Sequence, residues 1–108
     1  MSLSNGAAAS KKVFVIGGGI AGLSAATALV KRGANVELFE AGPQAGGRCR
    51  SYFDPAIGTT IDNGNHLVLS GNKAVYAYLQ RIGAATALIG PSEAVVDFVD
   101  LAIKIDIA

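Results

Sequence analysis

Three closely spaced glycines and a later carboxylate are the residues best suited to chemistry. Gly17, Gly19 and Gly22 match the pattern G-x-G-x-x-G, and Glu40 follows them further along the chain. In this pattern the first glycine permits a tight turn, the second lets a pyrophosphate approach the backbone, and the third lets a helix pack closely on a strand. An acid about 20 residues later accepts hydrogen bonds from ribose hydroxyls and disfavours a 2′-phosphate. The spacing therefore predicts a site for the ADP part of a dinucleotide.

The segments around the glycines give the motif its context. Val13–Ile16 is a β-branched apolar run, which is typical of a strand buried on both faces of a parallel sheet. From Ile20 the apolar spacing becomes helical and ends at Gly33, and Asn35–Phe39 is a second strand. The sequence thus predicts an α/β protein with a Rossmann-type βαβ fold, the N-terminal part of an FAD- or NAD(P)-binding domain. The N–H groups of Ile20 and Ala21, at the start of the helix, then face the phosphates.

The stretch from Val13 to Val30 carries no charge and has the length of a membrane span or signal peptide. We reject that interpretation because the stretch contains four glycines and two hydroxyl residues, whereas an inserted helix is richer in leucine, isoleucine and phenylalanine. We therefore expect a cytoplasmic protein.

A second glycine pair follows the acid. Residues 41–48 read AGPQAGGR, so that Gly46 and Gly47 precede Arg48, whose side chain can pair with a pyrophosphate or shield a reduced flavin. The βαβ unit alone does not separate FAD from NAD, since both carry adenosine, ribose and pyrophosphate. The second pair favours FAD.

From about Lys12 to Gly83 these motifs resemble the flavin-containing amine oxidase and phytoene desaturase superfamily. In that family the dinucleotide loop, the acid that ends the second strand and a later G-G-R form one FAD-binding N-terminus. The resemblance implies FAD as cofactor, bound here by Gly17, Gly19, Ile20, Ala21, Gly22, Glu40, Ala41, Gly46, Gly47 and Arg48.

The segment Ile61–Leu69 (IDNGNHLVL) narrows the resemblance. It looks like the D-N-G-x-H-L segment of bacterial hydroxysqualene dehydroxylases and is similar to that of plant-type carotene desaturases, although Asp62-Asn63-Gly64 alone is also an ordinary turn sequence. The resemblance implies an oxidoreductase that acts on isoprenoid or squalene-type lipids in squalene and hopanoid biosynthesis, and whose complete form contacts the membrane surface.

Composition excludes several other classes. The 108 residues carry nine Lys+Arg against eight Asp+Glu, which gives no basic footprint for nucleic acid. The single cysteine, Cys49, can form no internal disulfide and cannot by itself build a metal site. For Cys49 and for the single histidine, His66, a structural role is favoured over flavin attachment or proton transfer, and no catalytic residue is assigned.

The remaining expectations concern organisation. We expect a disordered leader over residues 1–10, a partial FAD-binding domain over 11–108 and no substrate domain. Asn72 is predicted to cap a helix that ends at Gly83, and Leu101–Ile107 alternates as a half-buried strand.

Members of the resembled family have several hundred residues, so we expect a fragment that binds the ADP part of FAD but does not catalyse alone. An open sheet edge favours a homodimer or a swapped assembly. A non-catalytic ADP- or NAD-binding regulatory module, and a purely structural domain, are the alternatives.

Overall fold

The computed structural model describes residues 1–6, 11–64, 67–93, 95, 98–100 and 105–107. In this part of the chain the elements are β1 (Ser2–Ser4), β2 (Lys12–Ile16), α1 (Ile20–Lys31), β3 (Asn35–Phe39), β4 (Ser51–Asp54), β5 (Thr59–Asp62), α2 (Lys73–Arg81), β6 (Phe98–Asp100) and β7 (Ile105–Ile107).

The predicted βαβ unit is present. β2 and β3 are parallel neighbours, paired from Lys12 with Asn35 to Ile16 with Phe39, and α1 connects them. The uncharged stretch therefore divides into a strand, a glycine turn and a helix. No helix in the described part of the chain is both long and apolar enough to cross a bilayer. The mixed α/β class is confirmed.

Glycines end both helices as predicted. At the end of α1, Gly33 has φ +85° and donates its N–H to the carbonyl of Val30 at 2.9 Å, while Ala34 donates to Leu29 at 3.0 Å. This is the Schellman arrangement, in which a left-handed residue satisfies the last carbonyls of a helix. Gly83, with φ +76°, occupies the same position after α2.

Asn72 precedes α2 but does not cap it with its side chain. Its Oδ1 accepts the N–H of Leu69 at 2.8 Å instead, because the preceding turn brings that donor closer than the helix N–H groups. At the other end of α2, Arg81 donates from Nη1 to the Ser24 carbonyl at 3.2 Å and to the Thr27 hydroxyl at 3.3 Å. These bonds attach α2 to α1.

One face of the β-sheet carries the core. Ala26 of α1 packs on Val36 and Leu38 of β3, and these three residues are buried. The other face of the sheet exposes Phe14 by 57% and Ile16 by 79%. The prediction that β2 is buried on both faces is therefore wrong for the described chain, because α1 covers one face and no described element covers the other.

The predicted disordered leader contains an ordered strand. β1 pairs antiparallel with β3, from Ser2 opposite Phe39 to Ser4 opposite Glu37. Asn5 extends the pairing, since its side chain donates to the Ala34 carbonyl at 2.7 Å and accepts the Val36 N–H at 3.0 Å. The expectation is corrected for this part of the leader, because backbone pairing with β3 orders a segment of little apolar character; residues 7–10 lie outside the described residues.

The sheet order β1-β3-β2 leaves β1 and β2 as its edge strands. β1 occupies the outer edge of β3, so within the described residues the free edge of the parallel pair belongs to β2. Pairing with a second copy stays a prediction.

Two antiparallel hairpins complete the described chain. β4 pairs with β5, and β6 pairs with β7. The tail strand predicted from Leu101 is thus represented by β7 and the preceding β6, while residues 101–104 and 108 lie outside the described residues.

Candidate functional site

The order of strand, glycine loop and acid places the candidate site at the carboxyl ends of β2 and β3. Gly17 directly follows β2 and Glu40 directly follows β3. In parallel α/β sheets ligands bind at this end of the strands. An open cleft of about 800 Å³ lies there, and we call it the glycine cleft; its lining consists of Gly19, Ile20, Ala21, Gly46, Gly47, Arg48, Cys49 and Asn63.

Two of the three motif glycines are required by the fold itself. Gly17 has φ +98°, a conformation that side chains rarely adopt, and its N–H donates to the Phe39 carbonyl at 2.7 Å. A Cβ on Gly22 would lie 1.8 Å from the Gly17 carbonyl oxygen. These two glycines allow α1 to begin within a few residues of the end of β2.

Gly19 is different, because neither its backbone nor its neighbours require a glycine. Its φ is −73°, and a Cβ built on it would meet no atom of the described residues within 4 Å. That Cβ would project from a residue that lines the glycine cleft. The missing side chain therefore leaves room for something outside the chain, as close approach of a pyrophosphate requires.

The first turn of α1 offers donors and a favourable field for an anion. Gly19 is the N-cap and provides no side-chain hydrogen bond, and no acidic side chain lies in the first turn. The N–H groups of Ile20, Ala21 and Gly22 are among those that a helix cannot satisfy internally. They lie at the positive end of the helix dipole.

The second glycine pair forms the opposite wall of the cleft. Gly46 donates its N–H to the Gly18 carbonyl at 2.7 Å and forms a parallel bridge with Gly19. Gly47 lies so close that its Cβ would be 3.1 Å from the Gly19 Cα, and both members of the pair have positive φ, +122° and +60°. The two glycine loops therefore contact each other backbone to backbone. Arg48 follows, exposed, in the lining of the cleft.

Glu40 connects the first glycine loop to Gly42 through its two carboxylate oxygens. Oε2 accepts the N–H of Gly18 at 2.6 Å, and Oε1 accepts the N–H of Gly42 at 2.8 Å. The Gly42 and Gly18 N–H groups hold the pKa of this carboxyl below its ordinary value, because hydrogen bonds to the charged form stabilise it. A carboxylate has about four lone-pair sites, so the side chain keeps acceptor capacity for a ribose hydroxyl.

Of the ten residues predicted to bind the cofactor, six line the glycine cleft directly: Gly19, Ile20, Ala21, Gly46, Gly47 and Arg48. Gly17 and Gly22 do not line the cleft and contact each other where the turn meets α1. Glu40 does not line it either, but accepts the N–H of Gly18. Ala41 is exposed beside Glu40 and does not line the cleft. His66 lies outside the described residues.

Sequence reasoning missed three positioning residues. The N–H groups of Gly18 and Gly42 donate to the Glu40 carboxylate, and Asn63 donates from Nδ2 to the Arg48 carbonyl at 3.2 Å. The D-N-G segment is the signal that could have found Asn63, although an ordinary turn also explains those three residues. Cys49, whose role was left open, is an exposed free thiol in the lining of the cleft.

A second cavity, of about 710 Å³, lies between the sheet and the two helices. We call it the apolar cavity; its walls include Leu3, Leu23, Val30, Val36, Leu38 and Ile82. None of the motif glycines lines it, so the predicted chemistry belongs to the glycine cleft.

The flavin-containing amine oxidoreductase family model matches residues 20–104. The chain belongs to this family. It is 56% identical over 92 residues to a hydroxysqualene dehydroxylase of Rhodopseudomonas palustris, which covers 85% of the chain and 22% of that relative. A probable zeta-carotene desaturase of Synechococcus elongatus is 33% identical over 78 residues, covering 72% of the chain and 16% of the relative. An L-amino-acid oxidase of Demansia vestigiata is 37% identical over 73 residues, covering 68% and 14%.

Family membership confirms the resemblance seen in the motifs and implies FAD as the cofactor. The glycine cleft fits the pyrophosphate part of that cofactor, since Gly19 leaves space where a Cβ would stand and the start of α1 presents N–H groups to it. The chain spans about 22% of the length of the hydroxysqualene dehydroxylases that it matches. No solved structure matches it significantly.

Proposed function

We propose that this chain binds the ADP part of FAD in the glycine cleft, as the Rossmann-type portion of an oxidoreductase that acts on isoprenoid or squalene-type lipids. The observation that carries the proposal is Gly19. Its φ is ordinary and its missing Cβ would meet nothing in the described chain, so the fold gives no reason for a glycine there. A ligand that touches the backbone supplies the reason.

The residues of the cleft have separate tasks. The N–H groups at the start of α1 bind the pyrophosphate, and Gly46 and Gly47 line the cleft beside it without side chains. Arg48 provides a cation in the cleft lining, where it neutralises phosphate charge. The free lone pairs of Glu40 accept the ribose hydroxyls. When bound, FAD supplies the two-electron acceptor for hydride removal.

The lipid substrate is supported by the relatives, two of which are named hydroxysqualene dehydroxylase and zeta-carotene desaturase. We further propose that this chain alone does not turn over substrate, because the residues that line its cleft are mainly those expected to hold the cofactor, and none of them is assigned to catalysis. Cytoplasmic location and contact of the complete enzyme with a membrane surface stay predictions.

The test is a titration of the folded chain with FAD, followed by flavin absorbance, with ADP and NAD as competitors. ADP should displace FAD, because both ligands offer the same pyrophosphate and ribose to the cleft. Glu40→Ala should weaken FAD binding by roughly tenfold to a hundredfold, the range expected for loss of charged hydrogen bonds.

The matched control is Glu37→Ala, which removes an acid from β3, the strand that Glu40 directly follows. The Glu37 Oε2 atom lies 2.6 Å from Lys12 Nζ, and Oε1 accepts a hydrogen bond from the Ser2 hydroxyl. Neither Lys12 nor Ser2 lines the glycine cleft. FAD affinity should stay within about twofold in this variant. Absence of saturable FAD binding to folded protein would overturn the proposal, and NAD binding tighter than FAD would favour a regulatory dinucleotide-binding module instead.

A further inference from the structure

The peptide groups on either side of Gly18 connect the acid to the second glycine loop. The Gly18 N–H donates to Glu40 Oε2 at 2.6 Å, and the Gly18 carbonyl accepts the Gly46 N–H at 2.7 Å. One residue of the first loop is thus held from two directions. The position of Gly18 is therefore linked to that of Gly46, since both hydrogen bonds involve the Gly18 backbone.

The Glu40 side chain also explains why residue 18 is a glycine. A Cβ on Gly18 would lie 3.0 Å from Glu40 Oε2 and 3.2 Å from Glu40 Cβ. Its φ lies outside the left-handed region, so the backbone conformation does not demand a glycine. Space is needed there because the carboxylate lies against the loop while its other oxygen holds the N–H of Gly42.

We propose that Glu40 is a positioning residue for the second glycine loop, in addition to being the ribose acceptor of the proposed function. Its carboxylate fixes Gly18, and the Gly18 carbonyl fixes Gly46, so that the wall formed by Gly46–Arg48 stands ready before any ligand arrives. The positioning rests on hydrogen bonds within the chain; only its use in binding pyrophosphate rests on the proposed function.

The positioning role and the electrostatic effect of Glu40 predict opposite changes in the affinity for an inorganic anion. A carboxylate near a pyrophosphate repels it, so removing the charge alone should raise the affinity for an inorganic anion. Loss of positioning acts in the opposite direction, because a disordered wall must be ordered again on binding. The direction of the change therefore separates the two effects.

The first experiment measures amide hydrogen exchange by NMR in the ligand-free chain. In Glu40→Gln one carboxylate oxygen is replaced by an NH₂ group, which cannot accept the second N–H. Exchange should become about fivefold faster at Gly18 or Gly42 and, diagnostically, also at Gly46, whose bond does not involve Glu40 directly. Exchange at Gly46 within about twofold of the unaltered chain would overturn the proposal.

Glu37→Gln is the matched control, because it removes a carboxylate from β3, the strand that precedes Glu40, and its partners are Ser2 and Lys12 rather than Gly18. The three exchange rates should not change in this variant. Faster exchange at Gly46 in the control as well would show a general loosening of β3 and would contradict a specific role of Glu40.

The second experiment uses inorganic pyrophosphate, which has no ribose. Gly18→Ala keeps every charge but displaces the carboxylate, and Glu40→Gln removes the charge. Positioning predicts that both variants bind pyrophosphate about fivefold more weakly than the unaltered chain. Unchanged affinity in Gly18→Ala together with raised affinity in Glu40→Gln would reduce Glu40 to a ribose contact and overturn the proposal.

The two hypotheses fail separately. If FAD does not bind the folded chain, the proposed function fails, while the exchange rates of the ligand-free chain still decide the positioning role. If FAD binds and Glu40→Gln leaves the Gly46 amide unchanged, the proposed function stands and the positioning role is rejected.

Discussion

The glycine cleft and the apolar cavity are similar in volume, about 800 and 710 Å³, but are formed by different parts of the chain. The cleft is lined by the N-terminus of α1 and by the second glycine loop, which contributes four of its eight lining residues between Gly46 and Cys49. The apolar cavity is lined by side chains of the core, such as Val36 and Leu38, which are both 3% exposed.

The difference teaches where a substitution should act. In the apolar cavity a residue contributes through the area that it buries, so its replacement changes stability. In the cleft a glycine contributes through the atoms that it lacks, so its replacement changes what can approach the backbone. Size alone does not mark the functional cavity.

Gly22→Ala should produce the largest effect, because it breaks the support of the cleft from below. Alanine normally stabilises a helix by about 1 kcal/mol relative to glycine. Here the new Cβ would lie 1.8 Å from the Gly17 carbonyl oxygen, and overpacking against backbone costs about 3 kcal/mol or more. The clash should win, and the free energy of unfolding should fall by about 2 kcal/mol in a urea titration followed by circular dichroism. A midpoint equal to that of the unaltered chain would contradict the packing described for Gly22.

Gly19→Ala should reverse that outcome and so sharpens the comparison. The new Cβ meets nothing in the described chain and the backbone is ordinary, so the free energy of unfolding should change by less than about 1 kcal/mol. The affinity for ADP should nevertheless fall at least about tenfold, because the Cβ occupies the path of the pyrophosphate.

The control for Gly19→Ala is Val30→Ala, which enlarges the apolar cavity. Calorimetric titration with ADP should give an affinity within about twofold of the unaltered chain. Weaker ADP binding in Val30→Ala, with unchanged binding in Gly19→Ala, would place the nucleotide in the apolar cavity and contradict its assignment to the glycine cleft.

The smallest effect concerns pH. The N–H groups of Gly42 and Gly18 lower the pKa of Glu40 in the folded chain below the ordinary value of 4.5. Its contribution to stability is therefore fully present above pH 4.5 and is lost as the pH falls through the lowered value. The difference in unfolding free energy between the unaltered chain and Glu40→Gln should shrink below pH 4.5 when urea titrations are repeated across that range. A difference that grows towards low pH would contradict the two hydrogen bonds.

Local patterns were sufficient for the βαβ unit. The strand predicted at Val13–Ile16 lies within β2, the helix begins at Ile20 as predicted, and β3 matches Asn35–Phe39. Periodicity, glycine caps and β-branched runs act over a few residues, so a single sequence carries them. The family could be recognised for the same reason, because each of the two glycine loops is a short continuous stretch of the sequence.

The features that could not be predicted from the sequence depend on contacts between segments that are distant along the chain. The residues Ser2–Ser4 have little intrinsic strand preference, and they form β1 through backbone pairing with the edge of β3. The bonds from Glu40 to Gly18 and Gly42 require two loop conformations at once, and no local pattern encodes their contact. Exposure of Phe14 likewise depends on what covers the sheet, which an apolar run does not specify.

The most direct test of the central claim is to map ADP onto the backbone amides by NMR titration of the folded chain. Binding in the glycine cleft predicts that the largest chemical-shift changes occur at Gly19–Gly22 and Gly46–Arg48, at both walls together, and that they are absent in Gly19→Ala. Changes concentrated instead around Leu3, Val30 and Ile82, in the apolar cavity, would contradict the assignment of the cofactor to the glycine cleft.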